Sequence, residues 1–115
     1  MDTSERRSIV VPSSVLFIKE MKRNAYMYTY MYILSNCTIQ NCPIRSENKT
    51  INTLLGVYRT SYAKLAKISN ANTPIWTKTF LKVLMENRLI GIRKEKKQTI
   101  ILIPNYDLYL LTSKV

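Results

Sequence analysis

The chain has 115 residues, 18 lysines and arginines against 7 acidic residues, no histidine, and a formal net charge of +11. That length holds one domain and leaves no room for a separate effector or cofactor domain beside a folded core. With 46% hydrophobic residues it can bury a core, which excludes a wholly disordered basic arm, and the charge points to a polyanionic partner, nucleic acid ahead of an anionic membrane surface.

The first stretch, MDTSERRSIVVPSSVLFIKE, carries acids before its arginines and breaks its apolar run at Pro12, so it lacks the basic start and continuous apolar centre of a signal peptide. No stretch approaches a membrane span, and a cytoplasmic location is expected, with Cys37 and Cys42 reduced. Two cysteines at C-x4-C spacing without a third ligand do not close a zinc site, so no metal or cofactor is expected. Residues 1–24 are read as an N-terminal arm and residues 25–115 as the domain. The C-terminal part, from Ser61, holds 10 basic and 3 acidic residues, so the partner is expected there.

From Asn24 the run NAYMYTYMYILSN fits both a strand, with Tyr26, Tyr28, Tyr30 and Tyr32 on one face, and a helix. Its length, its lack of polar alternation and its end at Ser35 and Asn36 favour the helix. Asn36 to Thr53, rich in Asn, Ser, Thr and Cys with a Pro, has the composition of a loop. LLGVYRT from Leu54 predicts a short strand that ends where Ser61 starts a short amphipathic helix on Tyr62, Leu65, Ala66 and Ile68, closed by Asn70, Ala71 and Asn72. Thr73 before Pro74 is a cap followed by a proline at the first helical position, and Phe80, Leu81 and Leu84 carry the apolar face of a helix of about four turns. LIGIRKE and QTIILIP, around a tip at Glu95, Lys96 and Lys97, predict an antiparallel hairpin stopped by Pro104. Asn105 then caps one or two helical turns containing Tyr106, Leu108, Tyr109, Leu110 and Leu111.

The order helix, short strand, helix, turn, longer helix, basic hairpin resembles that of the winged helix-turn-helix family. The stretch that carries the resemblance is SYAKLAKISNANTPIWTKTFLKVLMENRLIGIRKEKKQTIILIP, with Leu84, Leu89 and Ile90 at the end of the longer helix and the start of the hairpin. It implies an α+β, mainly α fold: a winged-helix DNA-binding domain with a C-terminal β-hairpin wing. Small size and the lack of an effector domain are similar to TubR-type plasmid or phage partition adaptors, dimers that load on iterated sites and recruit a tubulin-like GTPase. A transcriptional repressor or a replication-control protein fits nearly as well.

Independently of that resemblance, a helix fits the major groove, and outward donors on it reach base edges while flanking cations bind phosphates. Lys78, Thr79 and Lys82 lie largely opposite Leu81 and Leu84. Thr73 and Thr77, with the helix's first amides, could hold a phosphate, although Thr77 falls near the apolar side and could equally pack inward. Arg93, Lys94, Lys96 and Lys97 crowd four cations into five residues at the hairpin tip, where a minor groove or its phosphates would receive them. Trp76, Phe80 and Val83 form a second apolar stripe, either core or subunit interface; the tyrosine-rich helix and the apolar tail are the other candidate surfaces of an expected homodimer.

Sequence-specific binding of double-stranded DNA is therefore the leading expectation. An adaptor that contacts RNA or protein is the rival from another class. Catalysis is not expected: with no histidine, carboxylates spread singly and no Gly-rich phosphate loop, the usual constellations cannot be assembled.

Overall fold

The computed structural model describes residues 8–71 and 73–110. Its elements in chain order are α1 (Ser13–Leu16), a 3-10 turn at Lys19–Lys22, α2 (Asn24–Asn36), β1 (Thr38–Ser46), β2 (Lys49–Thr60), α3 (Tyr62–Ile68), α4 (Pro74–Glu86), β3 (Gly91–Glu95), β4 (Gln98–Ile103) and a 3-10 turn at Tyr106–Tyr109. The strands form one antiparallel sheet in the order β1-β2-β4-β3.

This overturns the expectation of a mainly α winged helix-turn-helix whose β-structure is a C-terminal wing. Among the described residues the fold is α+β with four antiparallel strands, two of them in the middle of the chain. The stretch expected to be loop is a long hairpin, Thr38↔Val57 through Ser46↔Lys49, closed by Glu47 and Asn48 at φ 47° and 65°. Strand composition misleads here for a physical reason. Every residue of β1 except Cys42 is exposed, so no buried face forces apolar residues onto alternate positions.

Only Gly56 to Thr60 of β2 pair with β4, so the β1–β2 hairpin runs past the sheet as a two-stranded arm. From Lys49 to Thr60 the strand covers about 36 Å at ~3.3 Å per residue, which sets the Glu47–Asn48 tip and the β3–β4 turn at opposite ends of the sheet.

The periodicity of α2 resolves as helical: Tyr26, Thr29, Tyr30, Ile33 and Leu34 are buried at helical spacing. They join Leu65, Phe80, Leu81, Leu84, Ile101, Ile103, Tyr106 and Tyr109 in the core, against the sheet face that carries Tyr58 and Ile92. Val15 and Met21 belong to the same core, and Ile9 bridges Leu110, so within the described residues the stretch before α2 packs as part of the domain. Within the described residues the tail forms a 3-10 turn after Asn105, which adopts a left-handed conformation without a side-chain cap bond. Residues 1–7 of the expected arm, Asn72 of the turn and Leu111 of the tail lie outside the described residues.

Candidate nucleic-acid interface

Pro74 opens α4 at a position where its missing N–H costs nothing, and Thr73 occupies the cap position without a side-chain hydrogen bond. Thr77, Phe80, Leu81 and Leu84 face inward at i, i+3, i+4 and i+7. The same phase leaves Thr73, Ile75, Lys78, Thr79 and Lys82 exposed. Thr79 Oγ1 donates to the Ile75 carbonyl at 3.3 Å.

Thr77 is not available to a phosphate. It is fully buried, and its hydroxyl donates to the Tyr62 carbonyl at 2.7 Å. Its helical phase, shared with Phe80, Leu81 and Leu84, is the reason. The Trp76, Phe80 and Val83 stripe is likewise drawn into the core. Trp76 stacks on Phe80 with ring centroids 5.0 Å apart, and Tyr26 meets both edge-on. Phe80 is fully buried and has no surface to offer a partner, whereas Trp76 and Val83 are half-buried.

In the β3–β4 hairpin, Glu95 and Gln98 pair around the turn residues Lys96 and Lys97, with Lys96 at φ 52°. Both turn lysines are exposed. Arg93 Nη2 lies 3.2 Å from one Glu95 carboxylate oxygen, and Arg59 Nη1 lies 3.5 Å from the other. Arg59 is not among the residues the sequence points to, being far from the hairpin along the chain. The ladder brings it there, because Ile100 is the cross-strand partner of both Arg59 and Arg93. No local signal marks such a residue; only the β2–β4 register does.

Lys94 projects to the opposite face of β3, where its Nζ sits 4.2 Å from the centroid of the Tyr62 ring. Tyr62 is thus a joint between two elements: α4 is tied to its carbonyl through Thr77, and the hairpin to its ring through Lys94. The joint links α4 and the basic hairpin through the first residue of α3. Ser61 fixes the start of α3 by accepting the Lys64 amide at 3.2 Å, and Lys64 and Lys67 add exposed charge on that helix.

Chemically this surface offers cations and hydroxyls. Among the described residues no three His, Cys, Asp or Glu side chains gather into a possible metal site, and no helix is long and apolar enough to cross a membrane. No family model matches the chain, and no curated protein or solved structure is significantly similar to it.

Proposed function

We propose that this protein binds double-stranded DNA through the exposed stripe of α4 and the β3–β4 hairpin. The observation that carries the reading is the Tyr62 joint, which links α4, the helix of the exposed Lys78 and Lys82, to Lys94 of the hairpin whose turn carries the exposed Lys96 and Lys97. A helix seated in the major groove would present Lys78, Thr79 and Lys82 to base edges and phosphates, and the hairpin cations would follow the flanking backbone. Thr73, exposed at the start of α4, would join the backbone contacts.

Homodimerisation is part of the proposal, because a second copy doubles the footprint and favours repeated or palindromic sites. Two copies of a chain with a formal charge of +11 repel, so they would meet where charge is lowest. That condition favours α2, which has no charged residue and exposes Tyr28 and Met31. Repression and partition both begin with duplex binding, and the proposal stops at that shared step.

The test is fluorescence anisotropy with labelled duplexes, titrated with salt and competed with single-stranded DNA and with RNA. Duplex preference with a log–log salt slope of about −4.5, as expected for Lys78, Lys82, Lys94, Lys96 and Lys97 while Glu95 holds Arg93, supports the reading. Equal competition by RNA or single strands, or a slope unmoved by Lys78→Ala with Lys82→Ala, overturns it.

A further inference from the structure

The exposed stripe of α4 contains one residue that electrostatics does not explain. Ile75 is 71% exposed, more than any other large aliphatic side chain among the described residues. A β-branched residue in the first turn of a helix, so largely exposed, contributes little helix propensity and leaves apolar surface in water. It shares its face with Lys78 and Thr79, at i+3 and i+4, and Thr79 is tethered to its carbonyl. The apolar branch therefore stands among the polar side chains that would face a duplex.

Within the major groove the apolar feature of the base edges is the C5-methyl group of thymine. Cytosine lacks it, and so does uracil. We infer that Ile75 contacts thymine C5-methyl groups and selects DNA sites with thymine beneath the first turn of α4. The inference rests on the duplex-binding reading and adds to it a residue that sets sequence preference. Phosphate contacts by Lys78 and Lys82 position the helix but do not distinguish one base from another, whereas Ile75 discriminates by burying its branch against a methyl group.

The experiment begins by selecting bound sequences from a randomised duplex pool. Each thymine of the selected site is then replaced singly by deoxyuridine, which removes the methyl and leaves base pairing intact. The full chain and its Ile75→Ala variant are titrated against every duplex. One thymine position, or one in each half-site, is expected to weaken binding about fourfold when demethylated, the loss of one methyl-sized apolar contact. Ile75→Ala should bind the thymine and deoxyuridine duplexes equally. Because Ile75 is largely exposed, the variant is expected to keep the melting temperature of the parent. A selected site that tolerates deoxyuridine everywhere, or one whose deoxyuridine penalty persists in Ile75→Ala, overturns the inference and leaves duplex binding standing. Duplex binding without any selected sequence also overturns it alone. No duplex binding at all removes both.

Discussion

The Tyr30 hydroxyl donates to the Tyr109 hydroxyl at 2.7 Å, joining residues 79 apart in sequence. The rings meet edge-on, with centroids 6.0 Å apart and planes at 85°. Burial, and after it the charge and hydrogen bond of Tyr109, push the Tyr30 phenol well above the ordinary tyrosine range. The folded chain therefore keeps a proton that the unfolded chain releases. This contribution is complete below the usual tyrosine pKa near 10 and is lost as pH rises beyond it, at about 1.4 kcal/mol per pH unit. Urea unfolding between pH 8 and pH 11 should show that decline. Tyr30→Phe should cost about 1 kcal/mol at neutral pH and decline less steeply in alkali. An equally steep decline in the variant would place the titration elsewhere.

Gly56 packs tightly against the 3-10 turn at Tyr106–Tyr109. A Cβ there would meet Tyr106 Cδ1 at 2.8 Å, Cys37 Sγ at 3.0 Å and Ile103 Cβ at 3.3 Å. Tyr106 cannot yield easily, since it is fully buried and its hydroxyl donates to the Leu34 carbonyl. Gly56→Ala should destabilise by about 1–3 kcal/mol, read as a lower melting temperature. Because Gly56 is remote from the hairpin turn, DNA affinity measured well below melting should be unchanged.

The elements most legible in the sequence are those in which one force dominates. Thr73–Pro74 followed by inward positions at helical spacing defines α4, and paired β-branched runs around Lys96 and Lys97 define the β3–β4 hairpin. The β1–β2 hairpin was hidden because β1 buries almost nothing, so Asn, Ser and Thr there are tolerated in a strand. The site divides in the same way. Lys78, Thr79 and Lys82 follow from helical phase, and that phase also settles Thr77, which aligns with Phe80 and Leu84. Arg59 and the Tyr62 joint depend on register and on packing between distant segments, which no local pattern encodes.

Glu95 is the acidic residue inside the proposed interface, and it occupies Arg59 and Arg93 at once. Glu95→Gln keeps the shape and releases both guanidinium groups, so DNA affinity should rise and the salt slope should steepen by up to about two. Lys96 and Lys97 have no such partner among the described residues, so Lys96→Ala and Lys97→Ala should each flatten the slope by about one and weaken binding on every sequence. Salt titrations of the single variants separate these effects. A Glu95→Gln protein that binds more weakly would mean that Glu95 positions the arginines instead of silencing them. Tip variants with an unchanged slope would remove the hairpin from the interface.

Pro43 sits on β1, the outer strand next to β2, opposite Asn52. A two-residue turn makes Ser46 and Lys49 a hydrogen-bonded pair, and pairs alternate along an antiparallel ladder. Arg45, Pro43 and Asn41 are then the positions whose backbone points away from β2. The proline ring thus removes an outward donor without weakening the pairing inside the sheet, a device that discourages another strand from adding to an exposed edge. Pro43→Val should restore the donor between those of Asn41 and Arg45 while retaining β1–β2 pairing. Sedimentation velocity should then show larger, concentration-dependent species beyond the state of the parent, with circular dichroism of the dilute protein unchanged. If the sedimentation of Pro43→Val matches that of the parent at every concentration, the edge is guarded by its twist and its charged tip, Arg45 and Lys49, and not by the proline.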